Sequence, residues 1–214
     1  MAQKTILAID TSGPLLQLCL KTAGKNHVFS TAMPKGHAEK LFGQIADLLQ
    51  QNYIKYANIT RIGVTVGPGS FTGLRIGIAA ARGLALALKI PVIGIPNLFA
   101  LSLSHPKKPF YIIVDARREQ FYVQHFTGPC LPDSDPQLLG FSQVEFIKSD
   151  AGNKIFSDSK VDIGLLADFA LGADPEAFPP LPTYIRPADA KVQTKKLIAR
   201  QFVSDNIAPA NSGT

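Results

Sequence analysis

The 214-residue chain has few of the residues that build disulfide frameworks and metal sites. It contains two cysteines, Cys19 and Cys130, and four histidines. Two cysteines cannot make a disulfide framework and show no metal-binding spacing, so a reducing, cytoplasmic environment is the simplest expectation. A helical metal site at His37 would need a second histidine four or five residues later, where Leu41 and Phe42 stand. We therefore expect no metal site.

Long apolar runs are also missing. The first run, in MAQKTILAIDTS, is broken by Asp10 and is too short for a signal peptide. No stretch reaches the ~18 uncharged apolar residues of a membrane span. The segment from Thr72 comes closest, but Arg75, Arg82 and Lys89 interrupt it. The sequence predicts neither export nor membrane insertion.

Acidic residues are scarce in the first half of the chain. Residues 1–110 hold 12 Lys and Arg against 3 Asp and Glu, and residues 111–214 hold 10 against 13, so the formal charges are +9 and −3. This contrast indicates two lobes with different neighbours. Nucleic acid is one candidate neighbour of the basic half, and a solvated surface is the other interpretation because the basic residues are scattered.

One short pattern occurs twice. TILAID, an apolar run that ends in Asp10, is followed by the turn SGP and the run LLQLCLKTA. FYIIVD ends in Asp115 in the same way and is followed by ARRE and QFYVQHF. Each pattern predicts a strand, a turn and a second antiparallel strand. One supersecondary unit therefore opens each half of the chain.

Helix and strand patterns alternate between these two units. Residues 37–52 and 72–88 have helical patterns, and each is followed by a short apolar run, IGVTV and IPVIGI, that predicts a buried strand. A hairpin followed by βαβα is the order of the ribonuclease-H-like fold, which occurs twice in actin-like ATPases. We predict an α/β protein of two ribonuclease-H-like lobes, the actin-like ATPase or ASKHA architecture, with the second lobe reduced.

The second half departs from the order of the first. Turn-rich GPCLPDSDP is followed by two weak strand signals, around Val144 and Ile155, and by one helical stretch near residues 165–171. The predicted divisions are an N-terminal, partner-binding lobe over residues 1–108, a smaller C-terminal lobe over 109–190 and a basic tail over 191–214.

The stretch GVTVGPGSFTGLRIG places a glycine-rich turn between a strand and a helix, where many proteins bind phosphate. It is not a P-loop, because Gly73 is followed by Leu74 and Arg75 and not by the lysine that a P-loop needs. Thr72 replaces the third glycine of a dinucleotide fingerprint, and the spacing of a nucleophile elbow is absent. A structural role is better supported: Gly67 and Gly69 permit a tight turn, and Ser70 or Thr72 can cap the helix.

Both predicted helices of the first half have more apolar surface than one sheet can cover. In the second helix the small residues Gly73, Gly77 and Ala81 recur every four positions. The first helix has two apolar faces, which are Ala38, Leu41, Ile45 and Leu48, and Phe42, Ala46, Leu49 and Tyr53. Such helices cover each other or meet a partner, and the pattern leaves both interpretations open.

Asp10 and Asp115 are the candidate cofactor-binding residues. Carboxylates at strand ends hold magnesium in actin-like ATPases, and aspartate also caps turns after strands. No further glycine-rich phosphate loop accompanies Asp115, and Ser70 has no histidine nearby in sequence to activate it. The sequence identifies no catalytic residue.

Five segments together resemble the bacterial TsaB family, also called YeaZ. They are LAIDTS, GVTVGPGSFTGLRIGIAAARGLALAL, IPVIGIPNL, VDARREQFYVQHF and PTYIRPADAK, in the family's order from residue 5 to about 191. The resemblance implies two actin-like, ribonuclease-H-like lobes. The basic tail has no family role that we can assign.

The resemblance also implies a non-catalytic subunit. TsaB proteins join the related TsaD and the ATPase TsaE to make N6-threonylcarbamoyladenosine in transfer RNA, and many form homodimers when free. No cofactor of the chain's own is implied, since ATP is used by partner proteins. TsaB binds TsaD through helices of its N-terminal lobe. The candidate partner interface is His37, Leu41, Ile45, Leu48, Gly67, Gly69, Ser70, Thr72, Gly73, Arg75, Gly77, Ala81 and Arg82.

Two other functions remain to be separated from this one. The first is an enzyme with its own active site, either a peptidase or a sugar-kinase-like phosphotransferase. The peptidase would need an activated nucleophile or a metal triad, and the kinase would need phosphate loops from both lobes. The second is direct RNA binding through the basic half, which would depend on salt concentration.

Overall fold

The computed structural model describes residues 4–33, 36–157 and 160–185, so the predicted basic tail, residues 191–214, lies outside the described residues. The strands are β1 Thr5–Asp10, β2 Leu15–Thr22, β3 Lys25–Ala32, β4 Ile59–Thr65, β5 Val92–Ile95, β6 Phe110–Asp115, β7 Gln120–Gly128, β8 Leu131–Pro132, β9 Gln137–Gly140 and β10 Ile155–Phe156. The helices are α1 His37–Gln51, α2 Phe71–Leu88, α3 Asn97–Ser102, α4 Phe141–Ser149 and α5 Ile163–Gly172. A single 3-10 turn, Tyr56–Asn58, precedes β4.

The first five strands form one sheet in the order β3-β2-β1-β4-β5. β1, β2 and β3 pair antiparallel, as their short connections require, whereas β4 joins β1 in parallel and β5 joins β4 in parallel. The helices α1 and α2 provide these parallel crossovers. This order is that of the ribonuclease-H-like fold, so the predicted fold class is confirmed.

The central strand β1 is buried on both faces. Leu7 and Ile9 belong to a core that includes residues of α1 and α2, and Ile6 and Ala8 belong to a second core with residues of α3 and α5. Alternate strand residues point to opposite faces, so each set meets a different helical layer. Asp10, the last residue of β1, consequently lies between these two layers.

The second sheet has the order β10-β6-β7-β8, with β9 also paired to β7. β6 ends at Asp115, pairs antiparallel with β7 and pairs parallel with β10, which repeats the relation of β1 to β2 and β4. The internal repeat is therefore real at the level of topology. β8 and β10 contain two residues each, so the second lobe is reduced as predicted.

The expected strand around Val144 is wrong, because Val144 lies in α4. It is the one buried residue of that helix and packs with Ile113 and Val123. A nine-residue helix with one buried position shows no helical period in its sequence, which explains the error. The expected strand at Ile155 and the helix over residues 165–171 are confirmed as β10 and α5.

Helix α5 comes from the last third of the chain and packs against β1, β2 and β4 of the first sheet. The side chain of Asp162 caps its start by accepting hydrogen bonds from the amides of Gly164 and Leu165 at 2.9 and 3.0 Å. Arg61 of β4 donates to the Ala170 carbonyl at 2.9 Å near its end. The first sheet thus holds a helix that the second half of the sequence supplies.

Helix α2 has the length and apolar composition of a membrane span, with a mean hydropathy of 1.4 over 18 residues. Length and composition are the whole of this indication, and buried core helices meet the same criterion. Seven residues of α2 are buried, and the helix packs against β1, β4 and β5. Its apolar character is accounted for in part by this packing.

Candidate functional site

The carboxylate of Asp10 is buried at the end of β1 and accepts four hydrogen bonds from the chain itself. Its Oδ1 accepts from the Ser12 amide at 2.9 Å, the Ser12 hydroxyl at 2.6 Å and the Thr65 hydroxyl at 2.8 Å. Its Oδ2 accepts from the Gln17 side-chain amide at 3.2 Å. A carboxylate oxygen offers about two acceptor sites, so Oδ1 is crowded with internal donors whereas Oδ2 receives one donor among the described residues.

The network continues into the glycine-rich turn. The Asn97 side chain donates to the Ser12 hydroxyl oxygen and accepts from the Gly67 amide at 2.8 Å. The Asn97 amide donates to the Gly67 carbonyl at 2.7 Å. Asp10, Ser12 and Asn97 therefore join the ends of β1, β4 and β5 through hydrogen bonds.

The glycines of the turn and of early α2 are required by contacts within the chain. Gly67 has φ +108°, and a Cβ there would lie 2.6 Å from the Thr183 carbonyl oxygen. A Cβ at Gly69 would lie 2.7 Å from the Ser12 carbonyl oxygen, and one at Gly73 or Gly77 would overlap an oxygen of Thr11. The glycine-rich motif thus lets α2 approach the β1–β2 turn closely.

Ser70, rather than Thr72, caps α2. Its hydroxyl accepts a hydrogen bond from the Gly73 amide at 3.2 Å, and its own amide donates to the Ser12 carbonyl at 2.7 Å. The Thr11 hydroxyl donates to the Gly73 carbonyl at 2.7 Å. These bonds occupy groups that a phosphate-binding turn would direct at its ligand.

Asp115 is topologically equivalent to Asp10 but chemically different. It is exposed at the end of β6, and its Oδ1 accepts a hydrogen bond from the Arg117 amide at 2.7 Å, which closes the β6–β7 turn. Among the described residues, no three His, Cys, Asp or Glu side chains are grouped as a metal site would require. The two aspartates therefore have separate structural partners.

The candidate interface residues of α1 are buried in the described structure. Leu41, Ile45 and Leu48 lie in the first core, and His37 is also buried, so their part in a partner interface stays a prediction. The Nε2 atom of His37 is buried without a hydrogen-bond partner in the described structure. The exposed side of α1 includes Phe42, which is 50% exposed. Sequence periodicity found both apolar faces but could not tell which one meets the sheet.

The candidates on the turn and α2 divide in the same way. Gly67, Gly73, Gly77 and Ala81 are buried by contacts within the chain, and their part in a partner interface stays a prediction. The exposed candidates are Gly69, Ser70, Thr72, Arg75 and Arg82. Further exposed residues of α2 that the sequence analysis did not single out include Ala79, Gly83 and Leu86. Their spacing of three and four positions was the available signal.

Neither cysteine is poised for nucleophilic chemistry. Burial raises the pKa of the Cys19 thiol to about 12, with a further contribution from the negative charge of Asp168. Burial also raises the pKa of Cys130, against the opposing effect of a hydrogen bond with Ser102. The reactive form of cysteine is the thiolate, and both environments disfavour it.

Comparison with known proteins agrees with this fold. Residues 28–129 match the family model of TsaD, tRNA N6-adenosine threonylcarbamoyltransferase. A solved structure of YeaZ from Pseudomonas aeruginosa superimposes with a TM-score of 0.69 at 24% identity, covering 84% of this chain and all of that one. With the two sheets described above, these findings define a protein of the ribonuclease-H-like, ASKHA class.

Curated relatives narrow this class. The chain is 32% identical over 150 residues to the tRNA threonylcarbamoyladenosine biosynthesis protein TsaB of Buchnera aphidicola (subsp. Baizongia pistaciae), covering 66% of this chain and 68% of the relative. It is 31% identical over 121 residues to TsaB of Escherichia coli, covering 55% of this chain and 52% of that protein. The chain thus spans about half the length of several curated relatives it matches. The chain belongs to the TsaB family.

Proposed function

We propose that the chain takes part in the synthesis of N6-threonylcarbamoyladenosine in transfer RNA, as a non-catalytic subunit that binds a TsaD protein. One observation carries the proposal: two helix-interior glycines, Gly43 of α1 and Gly83 of α2, are exposed, and a Cβ at either would meet nothing within 4 Å. A glycine inside a helix is less stable than alanine by about 1 kcal/mol. Neither position has a reason within the chain for tolerating that cost.

Exposed apolar side chains lie near these glycines on two helices that contact each other. Phe42 of α1 is 50% exposed and Leu86 of α2 is 82% exposed, and Ala46 and Ala79 lie on the exposed sides of the same helices. Glycine and alanine let a second backbone approach closely, and exposed apolar side chains gain free energy when a partner covers them. We call this surface, Phe42, Gly43, Ala46, Ala79, Gly83 and Leu86, the helical docking face.

The state of Asp10 supports a non-catalytic role. A carboxylate that holds magnesium or activates water offers an oxygen to that ligand, whereas Asp10 is buried and already accepts four hydrogen bonds from the chain, three of them at Oδ1. The chemistry would then belong to TsaD, with TsaE as the ATPase and tRNA as the substrate of the complex. The same docking face would form a homodimer when TsaD is absent. The proposal places the complex in the cytoplasm.

The test is a reconstitution with TsaD, TsaE, the enzyme that forms threonylcarbamoyl-adenylate, tRNA, threonine, bicarbonate and ATP. Threonylcarbamoylated adenosine is measured with and without the chain. We expect product only when the chain is present. Leu86→Asp should abolish TsaD binding and product formation, because a charge would be buried in an apolar interface. Phe146→Asp is the matched control, since Phe146 is 80% exposed on α4 of the second lobe.

Three results would contradict the proposal. They are equal product without the chain, equal effects of Leu86→Asp and Phe146→Asp, and turnover by the isolated chain that is lost on replacement of Asp10 or Ser70. The last would favour an enzyme with its own active site. Circular dichroism of each variant establishes that it is folded before binding is compared.

A further inference from the structure

Residues of two separate stretches of the sequence, GPGSFTGLR and PTYI, meet at the start of α2 in a cluster of exposed side chains. The guanidinium carbon of Arg75 lies 3.7 Å from the centre of the Phe71 ring. The rings of Phe71 and Tyr184 are 5.2 Å apart, and the Arg75 Nε donates to the Tyr184 hydroxyl at 3.3 Å. We call Phe71, Arg75 and Tyr184 the aromatic–arginine cluster.

The cluster is not needed to attach the segment that carries Tyr184. The Thr183 amide donates to the Val66 carbonyl at 2.7 Å, and the Gly94 amide donates to the Phe178 carbonyl at 2.8 Å. These backbone bonds already fasten the segment to the first sheet. Phe71 and Tyr184 nevertheless remain 40% and 45% exposed, so their rings leave substantial apolar surface in contact with water.

The stretch of sequence that carries Phe71 and Arg75 is basic. Residues 48–114 contain seven Lys and Arg and no Asp or Glu. Arg75 and Arg82 are exposed on α2, and the helix ends at Lys89. A region of this charge raises the local concentration of polyanions.

We propose that the aromatic–arginine cluster binds an unpaired stretch of RNA, with a base against the exposed rings and phosphates near Arg75. Stacking on an aromatic ring requires a base whose face is free, which a duplex does not offer along its length. The inference concerns the isolated chain and does not depend on the proposed binding of TsaD.

The experiment measures fluorescence anisotropy of a labelled single-stranded RNA of about 12 nucleotides, roughly the span of one single-strand binding site, titrated with the full chain. The same RNA annealed to its complement is the second probe, and a tRNA transcript is the third. We expect single strands to bind at least about tenfold more tightly than the duplex. tRNA should compete through its unpaired loops.

Variants separate stacking from charge. Phe71→Ala and Tyr184→Ala should each weaken single-strand binding about tenfold, within the range measured for loss of one stacked base. Arg75→Gln should weaken binding and make the slope of log K against log salt shallower by about 0.7, the loss of one phosphate contact. Phe146→Ala and Lys148→Gln, at exposed positions of α4, are the matched aromatic and charge controls and should change neither.

The proposal would be overturned by the absence of RNA binding at low salt, or by equal affinity for the single strand and the duplex. Equal losses of RNA affinity in the cluster and control variants would also overturn it. So would cluster variants that lose TsaD binding while their RNA binding is unchanged. The last would assign the cluster to a protein partner. Failure of RNA binding would leave the reconstitution result above unaffected, so the two proposals fail separately.

Discussion

Asp10 and Asp115 show how equivalent positions acquire different chemistry. Sequence reasoning correctly paired them as the ends of the first strand in each repeat. It could not predict that Asp10 would meet Gln17 and Thr65, because those donors come from neighbouring strands and not from the local motif. Asp115 accepts a hydrogen bond from its own turn, which is the contact that an Asp at a strand end predicts.

Replacing Asp10 by Asn should destabilise the fold by about 3 kcal/mol, because an amide group would replace one oxygen and face donors in a buried site. Asp115→Asn, exposed and still able to accept from the Arg117 amide, should change stability by less than about 0.5 kcal/mol. Urea unfolding of both variants, compared with the parent chain, measures the difference. Similar losses of unfolding free energy in the two variants would mean that the hydrogen bonds of Asp10 stabilise the fold no more than the single turn contact of Asp115.

The buried thiol of Cys19 should make the stability of the chain depend on pH in the alkaline range. Its thiol pKa is raised by burial from 9.0 to about 12, so in the unfolded chain it ionises at lower pH than in the folded one. Its contribution to stability is therefore complete below pH 9 and is lost as the pH rises from about 9 towards 12. In that window Cys19→Ala should reduce the fall in unfolding free energy by about 1.4 kcal/mol per pH unit, the effect of one proton.

The measurement is urea unfolding of the parent chain and Cys19→Ala at a series of pH values from 7 to 11. The variant starts less stable because it leaves a small cavity, so the slopes with pH are compared and not the absolute values. Parallel slopes above pH 9 would contradict the assigned environment of Cys19.

At the scale of the element, the sequence predicted the bounds of α1 and α2 to within one residue, because a long helix leaves a clear helical pattern in the sequence. It did not predict which apolar face enters the core. The glycines of α2 show which face is buried. A Cβ at Gly73 or Gly77 would meet Thr11, whereas a Cβ at Gly83 would meet nothing within 4 Å. A pattern of small residues signals close approach, and only the fold distinguishes an approach to the chain's own turn from an approach to a partner.

The two kinds of glycine should respond oppositely to alanine. Gly43→Ala and Gly83→Ala should each stabilise the free chain by about 0.5–1 kcal/mol, because alanine favours the helix and its methyl group meets open space. Both should weaken TsaD binding. Thermal unfolding and titration of TsaD measure the two effects on the same samples.

Gly77→Ala is the matched control, since its Cβ would overlap the Thr11 hydroxyl and lower stability. If Gly43→Ala and Gly83→Ala raise stability and leave partner binding intact, the helical docking face is assigned to the wrong surface. If Gly43→Ala and Gly83→Ala lower stability, the added methyl groups meet other atoms, which would contradict the open space at these two positions.

Over the whole molecule, the two repeats are not independent in their packing. The predicted division at residue 108 comes just before the second strand–turn–strand unit, yet α5 lies beyond it and covers β1, β2 and β4. Ile6 and Ala8 of β1 share a core with Ile163 and Leu166 of α5, and Lys21 of β2 forms an ion pair with Asp168. Contacts this distant in sequence leave no local pattern, which is why the sequence could predict the repeat but not what covers the first sheet.

A chain ending at residue 108 should therefore not fold cooperatively, because removing α5 exposes apolar residues on one face of the first sheet. Without α5, Ile6, Ala8 and Cys19 and their partners in β5 become exposed to water. The burial free energy lost would exceed the net stability of a typical domain, about 5–15 kcal/mol. We expect this fragment to aggregate or to lack a cooperative urea transition. A chain ending at residue 185, which retains α5, should unfold in one transition close to that of the full chain. Size-exclusion chromatography and urea unfolding compare the two, and a monomeric 1–108 fragment with a sharp transition would show that the first lobe is stable without α5.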